Sequence, residues 1–431
     1  MINTKLVTTL GNTKSDAKNF FLFSFGAFIS KFGASIYSFA ISLYVLTVTG
    51  SGVSFAINLV LSMIPTVLLG PVAGVITDRV NRKWIIVLGD LVSGGVLLCL
   101  FIISFYQFHL YWIYMATFIL NIIGTFIGVC VEAAKPNIVH DKNLMKLNSI
   151  TRIIMSSSFI LGPVLGGMAY AFIDQITIFI LINAISFFVS SLAECFIDFK
   201  FNVVKNKSEK KNRFFNDMKE GFVYLFSKQQ LRMIMILFIC INFFTTLSAM
   251  IPIPYIITNV LKLDALAFGI IEGAYPIGMI LGAIFIGKIV NNLNYHKFLI
   301  WITLIFSILF IAISIPVMLG NLTSEFVYII YYFVINASLG MCAALADIPI
   351  MTILQKLVPD YLRGRVISSG ITIVNTVVPF AMLLSGGLLN VLPIYWLPLF
   401  GGVLLFIIGV SIYISQTNNS TSLSLNETQL N

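Results

Sequence analysis

Charge is scarce in this chain. Of its 431 residues only 10% are Asp, Glu, Lys or Arg, whereas 58% are hydrophobic; soluble domains carry about 25% charged residues. That balance excludes an ordinary soluble enzyme, a disordered protein and a disulfide scaffold. Cysteine and histidine are equally thin. Cys99, Cys130, Cys195, Cys240 and Cys342 all fall in apolar runs, with no Cys-x-x-Cys pair and no histidine close by. They read as reduced packing residues, and neither a metal site nor any other cofactor is expected. His109, His140 and His296 lie in loops or at the edges of apolar runs. Glycine-rich phosphate loops are absent, and no polar segment exceeds about 35 residues, which argues against an ATP-driven machine.

Apolar runs, by contrast, are abundant. A bilayer core about 30 Å thick needs about 20 apolar residues per helix. Twelve runs qualify: 20–47, 53–76, 84–105, 111–134, 150–173, 176–198, 233–258, 266–290, 297–317, 326–348, 366–389 and 394–415. The chain therefore reads as an all-α polytopic membrane protein. No cleavable signal peptide is expected, because nineteen mostly polar residues precede a first run that is too long. The bases sort by side. They gather in the N-terminus and in or beside loops 77–83, 135–149, 199–232, 288–297 and 352–365, leaving Lys262 alone on the other side and Lys31 alone deep within a span. The positive-inside rule then places both termini in the cytoplasm. The net charge of +9 marks topology and calls for no nucleic-acid partner.

The longest polar stretch, 199–232, holds nine bases and three acids and separates six spans from six. The expected organisation is a bundle at 1–198, a basic linker at 199–232, a second bundle at 233–415 and a disordered cytoplasmic tail at 416–431. Within the linker, Phe214, Phe215, Met218, Phe222, Leu225 and Phe226 recur at helical spacing with Lys219 and Lys228 opposite. That pattern fits a short amphipathic helix on the cytoplasmic leaflet, and equally a lead-in to the seventh span. An offset of 213 residues pairs Gly74 with Gly287, Asp78 with Asn291, Pro136 with Pro349 and Arg152 with Arg365. Parallel six-span repeats of this kind characterise one transporter class.

Between the second and third runs the chain reads Gly74-Val-Ile-Thr-Asp78-Arg79-Val-Asn81-Arg82-Lys83. So tight a reversal predicts one position with φ > 0, for which Asn81 is a tolerant residue. Gly74, with Gly70, is expected to admit a neighbouring helix, and Asp78 to cap a facing helix N-terminus. The segment resembles the loop signature of the major facilitator superfamily (Gly-x-x-x-Asp-Arg-x-Gly-Arg-Arg), with Asn81 in place of a glycine and Lys83 in place of the last arginine. That resemblance implies two six-helix pseudo-symmetric bundles. It also implies a conformational latch of Gly74, Asp78, Arg79 and Arg82 that docks near Gly364-Arg365 at the start of span eleven.

In the fifth run, Ser158-Phe-Ile-Leu-Gly162-Pro163-Val-Leu-Gly166-Gly167 resembles the antiporter motif of the same family (Gly-x-x-x-Gly-Pro-x-x-Gly-Gly), with Ser158 replacing its first glycine. Proline removes a helix hydrogen bond and the glycines allow a kink with close packing. Here the likeness is to exporters rather than importers. Val358-Pro-Asp-Tyr-Leu-Arg-Gly-Arg-Val-Ile-Ser368, Pro136 with Leu144 and Asn148-Ser149, and Asp217-Met-Lys-Glu220-Gly221 are together similar to the macrolide-efflux and siderophore-exporter branch.

Ionisable groups inside spans cost about 2.5–3.5 kcal/mol each at a helix centre, so each is a functional candidate. Glu132, Glu194 and Asp347 lie near cytoplasmic span ends, where a side chain reaches water cheaply. Structural roles are expected there, with Glu132 pairing Arg82 or Arg79 and Asp347 its counterpart in the second half. Asp90, about two turns into span three, is placed with the same arginine loop or in transport. Lys31 lies about 16 Å into span one, and Glu272 about 9 Å from the outer face of span eight. They are expected to bracket the transport path, with Glu272 as proton carrier. Tyr37, Asn121, Asn242, Thr246, Tyr331, Asn336 and Ser338 are candidate cavity residues for a bulky, partly apolar ligand. Pro252, Pro254 and Tyr275-Pro276 mark candidate hinges.

The leading expectation is a monomeric secondary transporter in a bacterial inner membrane. It exports an amphiphilic drug or metabolite, macrolide-like, in exchange for protons. A proton-independent facilitator or exchanger of a lipid or small solute is the alternative. A lipid-modifying enzyme would need an acid, base or metal constellation that the sequence lacks, and a receptor or immunity protein would bind without transport.

Overall fold

The structure, a computed structural model, describes residues 2–106, 109–173, 175–199, 201, 214–289, 295–320 and 324–428; some side chains within these, including those of Asp78 and Arg79, lie outside the description. Twelve helices are long and apolar enough to cross a membrane. They are Ser15–Thr49, Gly52–Gly70, Arg82–Ile103, Leu110–Ile138, Lys142–Phe172 and Ile176–Cys195, then Gln229–Val260, Ala265–Ile286, Lys297–Leu319, Glu325–Gln355, Arg365–Leu389 and Trp396–Ile414. Each matches one of the twelve runs, and no strand occurs among the described residues. Below, the end of each bundle that carries the basic loops is called the basic end.

Local chemistry sets the helix ends. Gly50 (φ +60°) and Gly320 (φ +76°) take the left-handed conformation that closes spans one and nine. Asn81 does not, contrary to expectation. It sits at φ −66° and ψ 109°, and its side-chain oxygen accepts the Lys83 N–H at 3.1 Å, capping span three. An extended cap residue satisfies the first free N–H and makes a positive φ unnecessary. Span seven departs from α geometry where prolines were noted. The short helix Pro252–Tyr255 is flanked by π-helical turns Thr246–Met250 and Ile256–Val260, because neither proline offers an N–H to the preceding turn.

The chain divides into two compact units, one of Met1–Val48 with Asn58–Asn212, the other of Thr49–Ile57 with Arg213–Asn431. This differs from a simple cut at the linker, since the first residues of span two belong to the second unit. There, a Cβ on Gly52 would collide with Leu389, and one on Gly386 with Ala56 and the Gly52 carbonyl. In the first unit, Ile41, Leu97, Ile113 and Ile180 form one core cluster. Phe23, Ile86, Ile138, Leu147 and Ile197 form another at the basic end. Buried polar side chains tie that end together. Asp16 accepts the His140 N–H at 2.8 Å and the Asn143 amide at 2.5 Å. Asn19 bridges the Ile138 carbonyl (2.9 Å) and the Asp198 backbone (3.1 and 3.2 Å).

In the second unit, spans eight and ten meet backbone to backbone. A Cβ on Gly278 would strike the Ala337 carbonyl, and one on Gly340 the Tyr275 carbonyl. The linker forms a helix, Phe214–Ser227, packed on the start of span eleven. Leu225 is fully buried, Gly221 lies against the Arg365 carbonyl, and Glu220 pairs with the Arg365 guanidinium. Pro136 and Pro349, matched by the 213-residue offset, lie inside the helices of spans four and ten. Asn291 falls outside the described residues. The tail expected to be disordered continues the last helix from Trp396 to Thr428. No proline or glycine interrupts it after Gly409, and each added residue extends an existing helix without a new nucleus.

Candidate functional site

Span one carries the site. On one side, Gly26 and Gly33, seven residues apart, lie against span six. A Cβ on Gly26 would be 3.3 Å from Ser190 Oγ and 3.8 Å from Glu194 Cγ, and one on Gly33 would overlap Ser186 and approach Asn183 Oδ1 at 3.1 Å. On the other side, Gly162 and Gly166 of span five accept Ser35 and Phe39 of span one. Ser35 also donates to the Ser158 carbonyl at 2.7 Å. The motif glycines thus act as seats for span one, Gly167 is buried, and the helix is continuous through Pro163.

This packing encloses a cavity of about 550 Å³ lined entirely by the first unit. Lys31 is exposed to it. Asp90 of span three and Glu194 of span six also line it, 4% and 6% exposed. The three charges act on one another electrostatically, with Ser190 beside both carboxyls. No contact ion pair forms among them, and Glu194 Oε2 is buried without a hydrogen-bond partner. Further along, Tyr37 is 6% exposed and its hydroxyl likewise has no partner. Asn121 lines the cavity while donating to the Thr117 carbonyl at 2.7 Å.

Several expectations need correction here. Asp90 faces Lys31 and Glu194 rather than the arginine loop, because span three turns its polar face toward spans one and six. Glu194 does not reach out to water; it is buried under Gly26. It is the functional candidate that depth along the helix alone misses. A signal was present: Asn183, Ser186, Ser190 and Glu194 form a polar stripe at helical spacing in an otherwise apolar span. Glu272 is half-buried in span eight of the second unit and has no hydrogen bond or ion pair among the described residues. The described electrostatic partners of Lys31 belong to its own unit.

Of the expected latch residues, the side chains of Arg82, Glu132, Asp347 and Arg365 lie within the described part of the structure. Glu132 pairs with Lys135 one turn on, at 2.6 Å, not with Arg82. Arg82 instead donates to the Ala133 carbonyl at 2.7 Å. Lys83 donates to the carbonyls of Cys195 (2.7 Å) and Ile197 (3.0 Å). A helix end offers free carbonyls that long cations reach without burying a second charge. A Cβ on Gly70 or Gly74 would meet nothing within 4 Å, so neither glycine admits a close neighbour. Asp347 lies near Tyr275 and forms no ion pair among the described residues, so the expected match to Glu132 is absent. Arg365, the expected dock, engages Glu220.

In the second unit the polar cavity candidates bond backbone carbonyls, Asn242 and Thr246 within span seven and Tyr331 and Asn336 from span ten to spans nine and eight. Asn242 donates to the Phe238 carbonyl (2.9 Å) and Thr246 to the Asn242 carbonyl (2.9 Å). Tyr331 donates to the Ala312 carbonyl and Asn336 to the Ile271 carbonyl, each at 2.7 Å. Packing accounts for all four, since a buried donor needs an acceptor and the backbone supplies one.

Twelve spans and a charged cavity within a six-helix bundle narrow the fold, and sequence comparison decides the family. The sequence profile of the Major Facilitator Superfamily matches residues 23–377, with a second match over 241–428. The chain belongs to the major facilitator superfamily. It is a multi-pass membrane transporter of a small molecule, not an enzyme. Among its relatives is Macrolide efflux protein A of Streptococcus pyogenes, 24% identical over 343 residues, covering 78% of this chain and 81% of that one. Two solved structures share the fold. A bacterial homologue of the iron transporter ferroportin, in an inward-facing state, superposes with a TM-score of 0.65 at 15% identity, covering 92% of this chain and 98% of its own. A nucleoside transporter gives 0.70 at 12%, covering 91% and 98%.

Proposed function

We propose that this transporter exports an amphiphilic drug or metabolite, macrolide-like in character, by proton antiport and alternating access. It works as a monomer in a bacterial inner membrane with both termini in the cytoplasm. The relationship to Macrolide efflux protein A supports efflux. One observation carries the coupling: Lys31, Asp90 and Glu194 share a single cavity in the membrane-spanning part of the first unit. Charges so placed are expensive unless used, and two carboxyls set against one ammonium give a site whose occupancy by protons can change. Glu272 is the separate carboxyl of the second unit. Asp78, Arg79, Arg82 and Arg365 form the latch, and the Gly162-Pro163 region adjusts the packing of span five on span one.

Inverted vesicles bearing the transporter test this directly. An acid interior should drive accumulation of a macrolide inside them, and collapsing the pH gradient should stop it. Asp90→Asn and Glu194→Gln should each abolish the dependence on the gradient; Glu272→Gln asks whether the second unit contributes. Equal accumulation with and without the gradient would show a facilitator, and the antiport assignment would fall.

A further inference from the structure

We infer that Ser385 and Tyr331 are positioning residues of the transport cycle, each supplying from a neighbouring helix the hydrogen bond that a proline has removed. The carbonyls they select carry the inference. In a π-helical turn each N–H reaches the carbonyl five residues back. Past the first bonds of the turn Thr246–Met250, the next carbonyl in that register is Leu247, and the residue five on is Pro252. Proline has no N–H, so the Leu247 carbonyl loses its donor in that register. Ser385 of span eleven, fully buried, donates to it at 2.9 Å. Span nine repeats the arrangement in α geometry. Its Pro316 deprives the Ala312 carbonyl, four residues back, of a backbone donor. Tyr331 of span ten donates to that carbonyl at 2.7 Å.

Two further proline turns are held in a similar place. Asn336 reaches the Ile271 carbonyl, five residues before Pro276, and Ser35 the Ser158 carbonyl, five before Pro163, each at 2.7 Å. The two units use corresponding helices for this. In a six-span repeat, spans one and five match spans seven and eleven. Span one holds the proline turn of span five, and span eleven holds that of span seven. A proline turn is where a helix bends, because its ladder lacks a rung. A donor on the next helix fixes that turn against one partner. Burial explains why each donor needs an acceptor; proline explains which acceptor is free. An unmet buried carbonyl is costly, so each pin makes the bend of one span depend on the position of another.

Giving the N–H back is the decisive measurement. In the full-length protein in nanodiscs, hydrogen exchange is followed in peptides covering 246–260 and 312–319. Ser385→Ala should speed exchange in the first peptide roughly tenfold. In a Pro252→Ala background the backbone regains its donor, and the same serine change should matter by less than about twofold. Tyr331→Phe with Pro316→Ala forms a second cycle, read in 312–319, so the test survives if one proline variant does not fold. Equal effects of the donor change in both backgrounds overturn the proposal, because the hydroxyl then replaces no N–H. Turnover supplies a readout that stability alone does not move. With erythromycin as the probe, Ser385→Ala should lower the maximal export rate about fivefold and leave KM within about twofold. An unchanged rate overturns the positioning role. That readout rests on the efflux reading; if the native protein exports no erythromycin, that reading falls, and the exchange cycles still decide the proposal.

Discussion

Asp16 shows how much a single side chain holds. It is 2% exposed and accepts two hydrogen bonds from the start of span five, at His140 and Asn143. Asp16→Ala leaves a half-buried backbone N–H and a half-buried amide without their carboxylate, at about 1 kcal/mol each. The expected result is a clearly lower melting temperature of the solubilised protein; an unchanged melt would mean that water replaces the carboxylate. The Glu220–Arg365 pair should behave differently. Both partners are well exposed, with side chains 51% and 39% accessible, so Glu220→Gln should shift the same melt by less than about 1 kcal/mol. Neither contrast is legible in the sequence, where Asp16 is one more residue of a polar leader. The same blindness hid Glu194. Its position along span six is readable, but its burial depends on Gly26 lying opposite, and that is a fact of packing.

Glycines that face a neighbour and glycines that do not separate the helices into two kinds of contact. Spans eight and ten are in backbone contact at Gly278 and Gly340, where an added Cβ meets a carbonyl that no side-chain rotation can move aside. Gly340→Ala should therefore destabilise by about 1–3 kcal/mol or more, the usual range for overpacking, and lower the yield of folded protein. Gly74→Ala should leave the melt unchanged, since a Cβ there meets nothing within 4 Å. If Gly74→Ala nonetheless slows transport, its role belongs to the latch and not to packing. The helices themselves were legible from hydrophobic run length, because a bilayer imposes one length on every span. The interruption of span seven was legible too, from Pro252 and Pro254. The helix partners were not, since glycines recur in nine of the twelve spans and only the opposing residue decides which glycine is in contact.

Direction of transport belongs to the chain as a whole. The bases cluster at one end of every span pair, and Lys262 stands almost alone at the other. Each base crossing the membrane would cost several kcal/mol, so the whole set fixes insertion in one orientation. Lys219 lies in the linker helix and Lys262 in the turn after span seven, both exposed or half-exposed to solvent. The five native cysteines lie in spans and serve as the common background. In intact cells, Lys262→Cys should therefore react with an impermeant maleimide. Lys219→Cys should react only after the membrane is opened. The reverse pattern would turn the protein over and make the acid-driven flux proposed above an uptake instead of an efflux. The place of the cavity charges along the spans makes the same labelling informative about the transport path. Lys31, Asp90 and Glu194 lie toward the basic half of spans one, three and six, counted from Asn19, Arg82 and Cys195. If the labelling places the basic end in the cytoplasm, a substrate entering from that side meets Lys31, Asp90 and Glu194 before Tyr37, and the opposite labelling inverts that order.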